Sequence, residues 1–467
     1  MDNLYELIKK ADNGDAEAQW RVAWHIVWDE ETEPIEPDWL ERALDYFERS
    51  ASQGYGDAML DLGALYRVGR GVSRDIEKAF YWFNQAASIL HPKAFRCLGY
   101  ALEIPVGYLD PYDEADKEGY KNAYKYFIKG AILNEQNSIY KIGDMYYSGK
   151  YVDADREFAF FLYQQSYDCI EYIDDDSYAS VCLRLGECYC YGTGTAQDIG
   201  KATDYINKAI KGFEIRINRD ESPDYFMGGY NRAKLLLKRI RTNKIKEVSS
   251  NQEDMKDNAY AAFLESDMLK YPEPHYPIAE LDALKAENPK ISQWDSFFND
   301  ELAAAESGDE ESMYHIAFYC LKRFGNESNS GIMKEFTLYY FHKAIRSGSR
   351  VAMYYLGDIY NYGIIGVEID KNKAYLLYIY SETQIAWNEL GILYGEGKIG
   401  EKDYEKAFMY FAKYSLTREI KRYASLGNLA IMYRNGYYVE PDEKFADFCE
   451  GERIRLEEEW RAENEEK

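Results

Sequence analysis

The chain has 467 residues, of which 82 are acidic and 56 are basic, so its formal net charge is −26. Hydrophobic residues make up 46 % of the sequence, which is enough for a packed core and excludes a disordered acidic chain. The charge argues against wholesale binding of nucleic acids or anionic membranes, because both require clustered lysine and arginine.

The beginning of the chain and its cysteines predict a compartment. The N-terminal stretch has no apolar segment of signal-peptide length, and no run of about 18 apolar residues occurs anywhere. The seven cysteines are an odd number and form no C-x-x-C pair, which is typical of reduced thiols rather than of a disulfide framework. We therefore expect a cytoplasmic protein without a membrane segment.

The first strongly patterned element is a helix around Gly63. Ala58, Leu62, Leu65 and Tyr66 recur at helical spacing and predict one apolar stripe. A glycine inside a helix costs about 1 kcal/mol relative to alanine, so the position must need the missing side chain. We expect Gly63 to lie where a second helix approaches closely.

A glycine turn and a second helix follow. Gly69 is predicted to end the first helix in the left-handed conformation, and Gly71 to let the loop turn again. Asp75 is placed to cap the next helix, because its carboxylate can accept bonds from free backbone amides. The buried face of that helix is predicted from six residues: Ile76, Ala79, Phe80, Phe83, Ala86 and Ala87.

Copies of this helix pair recur along the chain. The strong copies are centred on Gly63, Gly186, Gly357 and Gly391. Weaker copies place a small residue at Ala23, Gly99, Gly143, Ala317 and Gly427. Within each half of the chain, successive small residues are 34 to 44 positions apart. Nine such units indicate an all-α fold, a right-handed α-solenoid of antiparallel helix pairs.

The repeated pattern is A-x-x-x-L-G-x-x-Y-x-x-G-x-G-V-x-x-D-x-x-K-A-x-x-W/Y-x-x-x-A-A, and it resembles the Sel-one-like repeat family of tetratricopeptide-like solenoids. The resemblance covers roughly residues 1–215 and 297–455 and is most specific in the four strong copies. The third unit departs from it, with Pro105, Pro111 and an acidic insert in place of the glycine loop. The family implies a scaffold or adaptor role and offers no catalytic residues to transfer.

The repeats fall into two blocks. Residues 1–212 are predicted to be an N-terminal block of about five units, and 297–467 a C-terminal block of about four units with an acidic tail. Residues 213–296 break the period and are predicted to be an irregular, charged helical connector. A bend is expected near residues 271–277, because prolines interrupt helices. Four prolines lie in the connector: Pro272, Pro274, Pro277 and Pro289.

No recognisable catalytic, cofactor or metal motif is present in the sequence. The five histidines are scattered, without an H-E-x-x-H pattern or a carboxylate partner at fixed spacing. Cys182, Cys188 and Cys190 cluster, but their spacing matches no structural zinc site, so buried reduced thiols are the preferred interpretation. We therefore expect a protein without enzymatic activity, cofactor or metal.

A column of polar residues directly follows the glycine of several first helices. Its members are Asp144, Glu187, Asp358 and Asn428, and their neighbours are apolar. A polar column on successive first helices would line the inner groove of a solenoid, where partners of this repeat class usually bind. The alternative explanation is plain surface exposure. We name these four residues the polar column and predict that they form a partner-binding groove.

One stretch of the sequence is basic, although the chain as a whole is acidic. Seven cations and no acid occur between Arg232 and Lys246: Arg232, Lys234, Lys238, Arg239, Arg241, Lys244 and Lys246. The first five are predicted to form a docking patch for an acidic partner or a nucleic acid. The alternative is a helix whose cations meet acidic neighbours within the fold.

These observations favour a non-enzymatic interaction scaffold that holds a protein partner in its groove. The acidity of the chain favours a basic partner and makes nucleic acid an unexpected one. A narrower hypothesis is a bacterial regulator or immunity-type protein that neutralises a basic effector. The competing hypothesis places an enzymatic or ligand site in the connector, residues 213–296. The oligomeric state is not predicted.

Overall fold

A computed structural model describes most of the chain, and all regular structure in the described part is helical. The described residues are 4–28, 37–103, 114–173, 175, 177–219, 223–242, 260–264, 266, 296–324 and 331–465. They divide between two compact units, Met1–Val248 and Ser249–Lys467. The predicted all-α class is confirmed.

The first unit consists of helices that pack in sequence order. Its described helices are α1 (Leu4–Asp12), α2 (Ala16–Trp28), α3 (Pro37–Ser52), α4 (Gly56–Val68), α5 (Ile76–Ser88), α6 (Pro92–Glu103), α7 (Glu114–Ile132), α8 (Gln136–Ser148), α9 (Arg156–Asp168), α10 (Tyr178–Tyr191), α11 (Ile199–Arg219) and α12 (Pro223–Arg241). Five helix pairs follow one another, from α2 with α3 to α10 with α11. Helix α12 then packs against α11.

The second unit repeats the arrangement. Its described helices are α13 (Ser296–Ser307), α14 (Glu310–Phe324), α15 (Gly331–Arg346), α16 (Arg350–Tyr362), α17 (Lys371–Ser381), α18 (Gln384–Gly395), α19 (Tyr404–Ser415), α20 (Tyr423–Asn435) and α21 (Glu443–Glu465). Two 3₁₀ turns, Ile364–Gly366 and Ile420–Arg422, join helices. Four pairs form, from α14 with α15 to α20 with α21. The predicted succession of helix pairs is confirmed in both units.

The repeat glycines lie where the two helices of a pair approach most closely, as predicted. A Cβ atom on Gly357 would lie 2.7 Å from Cε1 of Tyr378, and one on Gly391 would lie 2.5 Å from Cε1 of Phe411. On Gly63 it would collide with the ring of Phe83. Real Cβ contacts are not this short, so each glycine is required by the packing of the pair.

The ends of the helices also follow the sequence prediction. Gly69 has φ +77° and its amide bonds to the carbonyl of Leu65, which closes α4 in the left-handed conformation. The carboxylate of Asp75 accepts the backbone amide of Lys78 at 3.0 Å and caps α5. In the predicted buried face of α5, only Ala79, Phe83 and Ala86 are fully buried. The other three predicted members of that face are partly exposed.

Several sequence predictions fall outside the described residues. These are the acidic insert with Pro105 and Pro111, the bend near residues 271–277, the four prolines of the connector, and Lys244 and Lys246. The first part of the stretch expected as a connector is described, because α11 continues past residue 212 and α12 follows it. Among the described helices, none combines the length and apolarity needed to cross a bilayer.

Candidate interaction surfaces

In both units, some first helices of neighbouring pairs contact one another. Such contacts join α2 with α4, α6 with α8, and α14 with α16, and the first helix α10 also contacts α12. A residue directly after a repeat glycine can therefore interact with the first helix of the next pair. The polar column occupies this position, so the interactions of its side chains depend on two neighbouring repeats rather than on one.

In the first unit the polar column is part of a chain of alternating charges. Asp144 on α8 accepts hydrogen bonds from the hydroxyl of Tyr163 at 2.8 Å and from Nε of Arg184 at 2.8 Å. Nη1 of Arg184 lies 3.2 Å from Oε2 of Glu187 on the same helix, α10. The guanidinium of Arg232 on α12 pairs with the other oxygen of Glu187. We call Asp144, Arg184, Glu187 and Arg232 the ion-pair chain.

Three members of the ion-pair chain are largely withdrawn from water, whereas the side chain of Arg232 is 55 % exposed. The side chain of Glu187 is 4 % exposed, and those of Asp144 and Arg184 are 21 % and 22 % exposed. Burial disfavours the charge of Arg184, but the carboxylate of Asp144 and nearby tyrosines together raise the pKa of its guanidinium. Each buried charge in this chain has a partner of opposite sign, as buried charges require.

In the second unit the corresponding positions hold two acids. Asp358 on α16 accepts the hydroxyl of Tyr378 at 2.7 Å. Glu389 on α18 takes the place relative to the next repeat glycine that Arg184 has in the first unit. It accepts the hydroxyl of Tyr362 at 2.5 Å and the amide of Asn388 at 3.2 Å. We call Asp358 and Glu389 the acid pair.

Among the described residues the acid pair forms no ion pair, and the cations that interact with it, Lys322 with Asp358 and Lys371 with Glu389, do so from beyond ion-pair distance. Burial and, to a smaller extent, the charge of Glu389 raise the pKa of Asp358 to about 7, against the opposing hydrogen bonds from Tyr378 and Tyr354. Lys322 on α14 exerts a weaker, longer-range influence that lowers the pKa. Asp358 is only partly exposed and forms no ion pair, so burial disfavours the charged form of its carboxylate.

The aromatic residue that covers the repeat glycine explains part of the polar column. Asp144 and Asp358 follow glycines covered by Tyr163 and Tyr378, and each carboxylate accepts the hydroxyl of that tyrosine. Ile392 follows a glycine that is covered by a phenylalanine, which has no hydroxyl to satisfy. The carboxylates thus have a structural role besides any part in binding. This pairing was not predicted from the sequence, although each tyrosine follows its aspartate by a similar interval, 19 positions for Asp144 and 20 for Asp358.

Asn428 is the one uncharged member of the polar column. Its amide donates to Oδ1 of Asn388 at 3.1 Å, and the hydroxyl of Ser425 donates to the same oxygen at 3.0 Å. Arg453 covers the preceding glycine, Gly427. Asn428 therefore belongs to a polar network between α18 and α20 rather than to a charged one.

The predicted docking patch lies on α12, where all five of its cations are exposed. Arg232 belongs to the ion-pair chain, in which it pairs with Glu187. Lys234 lies over the ring of Tyr230, 4.3 Å from its centroid. Among the described residues, Lys238, Arg239 and Arg241 have no acidic side chain within ion-pair distance.

The cysteine cluster is buried, as predicted. Cys182, Cys188 and Cys190 are fully buried on α10 and are free thiols. Burial raises the pKa of Cys182 and of Cys188 to about 12, and that of Cys190 to about 11, so none is an activated nucleophile. In the described ranges, no group of three or more His, Cys, Asp or Glu side chains could hold a metal ion.

The Sel1 repeat family matches seven stretches of the chain. They are residues 16–55, 56–88, 136–169, 179–212, 350–381, 386–413 and 424–446. The matched stretches coincide with seven of the nine helix pairs. The structure adds the pairs α6 with α7 and α14 with α15, which carry the weaker copies at Gly99 and Ala317.

Curated relatives match short parts of the chain. The ERAD-associated E3 ubiquitin-protein ligase component HRD3B of Arabidopsis thaliana is 31 % identical over 137 residues, 29 % of this chain and 20 % of the relative. A protein of Schizosaccharomyces pombe, described as a component of the same kind of ligase, is 38 % identical over 84 residues, 17 % of this chain and 11 % of its own length. The chain thus spans about a fifth or less of the length of these relatives.

Solved Sel1-type structures are also similar. A Sel1 repeat protein from Oxalobacter formigenes is 19 % identical and covers 50 % of this chain and 97 % of its own, with a TM-score of 0.35. The protective antigen c5321 of uropathogenic Escherichia coli, described as an SLR fold, is 20 % identical and covers 100 % of this chain and 98 % of its own, with a TM-score of 0.27.

Proposed function

Since the chain is a Sel1-repeat protein, we propose that it is a non-enzymatic scaffold that binds a basic segment of a protein partner on the first helices of its second unit. Sel1 repeats mediate interactions between proteins. The relatives in Arabidopsis thaliana and Schizosaccharomyces pombe are components of a ligase assembly, which supports an adaptor role. The narrower form of the proposal is a regulator that neutralises a basic effector in the cytoplasm.

The observation that carries the proposal is the acid pair. The ion-pair chain of the first unit satisfies its own carboxylates with Arg184 and Arg232, so it has little left to offer a cation. Asp358 and Glu389 have only hydroxyl and amide donors. A lysine or arginine of a partner would supply the missing charge. The tyrosine rings of Tyr354, Tyr362 and Tyr378 around the pair would also favour a guanidinium.

The acid pair implies that binding depends on pH. The carboxyl of Asp358 has a pKa of about 7, so it is mostly protonated at about pH 6 and mostly ionised at about pH 8. Only the ionised form attracts a cation, so affinity should rise as the pH rises through 7. The groups that face Asp358 are Glu389, Tyr354, Tyr378 and, at longer range, Lys322. Burial raises the pKa of Tyr354 and of Tyr378 far above this interval, so both tyrosines stay neutral.

The test uses the full-length protein and a short arginine-rich peptide as a probe. Titrations at about pH 6 and about pH 8, each at low and at physiological salt, should give tighter binding at the higher pH and weaker binding in salt. Asp358→Asn combined with Glu389→Gln should weaken binding at about pH 8 by about fivefold or more and remove the pH dependence. Unchanged affinity of this double variant would overturn the proposal.

A matched control distinguishes the acid pair from the general acidity of the chain. Glu368 and Glu401 are exposed in the loops that follow α16 and α18. Glu368→Gln with Glu401→Gln removes the same charge from the same two repeats. This control should bind the peptide almost as the wild type does. Equal losses in both double variants would mean that only net charge matters and that no site exists.

A further inference from the structure

Helix α12, which ends the described part of the first unit, has one apolar face inside and one basic face outside. Ala233, Leu236 and Leu237 are 0 %, 4 % and 8 % exposed and pack towards the unit. On the other side, Leu235 is 50 % exposed and stands between Lys234 and Lys238. An exposed leucine surrounded by cations is an unusual surface in a chain with a net charge of −26.

The fold accounts for only part of this charge. Arg232 compensates the buried carboxylate of Glu187, and Lys234 donates to the hydroxyl of Tyr230. Lys238, Arg239 and Arg241 are exposed, and no acidic side chain of the described residues pairs with them. The interpretation in which all the cations of this stretch meet acidic neighbours therefore holds for Arg232 and not for these three.

The helix dipole gives these cations a small favourable interaction, because they lie in the last turn of α12. The same residues repel one another, since Lys234 and Lys238 are four positions apart and Lys238 and Arg241 are three apart. The two effects are of similar size and oppose each other. The concentration of charge on this face thus adds little to the stability of the helix.

We propose that the outer face of α12 binds an acidic segment of a protein partner, with Leu235 as the apolar contact and Lys238, Arg239 and Arg241 as the charged contacts. Charge complementarity selects the partner, because these cations lie on a chain that is otherwise acidic. The half-exposed leucine favours a segment that has apolar as well as acidic side chains. This surface is separate from the acid pair and has the opposite charge.

A protein segment fits this face better than a nucleic acid does. Nucleic-acid affinity comes mainly from the neutralisation of many phosphates, and three uncompensated cations neutralise few. The net charge of −26 repels a polyanion at long range, whereas a short acidic segment carries few charges and can use Leu235. A nucleic acid remains one outcome of the test.

The test uses the full-length protein with two labelled probes, a short peptide of alternating glutamate and leucine and a single-stranded oligonucleotide. At low salt the peptide should bind, and salt should weaken its binding. Lys238→Glu combined with Arg241→Glu should weaken peptide binding about tenfold or more, and Leu235→Ser should weaken it about threefold. Circular dichroism of each variant should match that of the wild type, since the substituted side chains are exposed.

The matched control is Lys9→Glu with Lys10→Glu. Both lysines are exposed in the last turn of α1, so this variant changes the net charge and the helix end in the same way. It should bind the peptide as the wild type does. The proposal is overturned if the peptide does not bind at low salt, if the control and the α12 variant lose affinity equally, or if the oligonucleotide binds more tightly than the peptide. If the protein self-associates and self-association prevents peptide binding, the proposal is also overturned, and the outer face of α12 is assigned to a second copy of the chain.

Discussion

The two units place different charges at the same repeat positions. In the first unit, the residue after the repeat glycine and the facing residue of the next repeat are Asp144 and Arg184, which neutralise each other. In the second unit they are Asp358 and Glu389, which do not. The helix pairs are alike in both units, because small residues and aromatic rings determine how they pack. The repeat therefore fixes where these side chains lie but leaves their charge free to vary.

The largest expected difference is between two units that fold independently and two units that need each other to fold. Residues 1–248 and 249–467, expressed separately, should each fold and unfold cooperatively, because solenoid stability comes from contacts between neighbouring repeats. Circular dichroism with thermal melting measures this. A fragment that is unfolded or aggregated by itself would mean that the two units must be treated as one.

The largest expected effect of a single substitution is in the ion-pair chain. Arg184→Met leaves Asp144 and the buried Glu187 without their shared cation, and should lower the free energy of unfolding by about 3–5 kcal/mol. Glu389→Gln, its counterpart in the second unit, removes a charge that has no ion-pair partner among the described residues and should cost almost nothing. Urea unfolding measures the free energy of unfolding of both variants. Faster hydrogen exchange in α8 and α10 would show that Arg184→Met destabilises these two helices. Equal losses of unfolding free energy in Arg184→Met and Glu389→Gln would contradict the difference in charge pairing between the two units.

The packing of the helix pairs should respond alike in both units. Gly143→Leu and Gly357→Leu each place a side chain 2.7 Å from the ring of a covering tyrosine, so each should cost about 1–3 kcal/mol or more. Gly451→Leu is the control, because a Cβ atom there meets nothing within 4 Å and the residue is exposed on α21. Melting temperatures measure all three. An unchanged Gly357→Leu protein would show that the close approach is not needed.

A smaller difference is expected when the covering tyrosine loses its hydroxyl. Tyr378→Phe removes a donor from Asp358, which has no cation, and should cost about 1–2 kcal/mol. Tyr163→Phe should cost less, because Asp144 keeps its bonds to Arg184. Adding Asp358→Ile to Tyr378→Phe copies the natural pairing of phenylalanine with Ile392 and should restore stability. Denaturant unfolding of the single and double variants tests this. A double variant that is less stable than Tyr378→Phe would show that the aspartate is not retained for the tyrosine hydroxyl.

Much of the architecture could be predicted because it depends on local rules. Gly63 inside an amphipathic helix predicts a close approach, and Phe83 provides it. Asp75 before a helix predicts a cap, and its carboxylate accepts the amide of Lys78. Gly69 predicts the left-handed end of α4, where φ is +77°. Each prediction needed only residues within one repeat, so periodicity and residue type were sufficient.

The sequence by itself determined the helix pairs, their number and the residues at which their helices meet, because spacing, glycine and capping act over short distances. Only the tertiary structure decided what the polar column does. Whether Asp144 is paired depends on Arg184, which is 40 positions away and comes close through the packing of α10 against the preceding repeat. Whether Asp358 is left unpaired depends on Glu389 in the next repeat. Charges interact across space with whichever helix lies beside them, so their partners follow from packing and not from the repeat pattern.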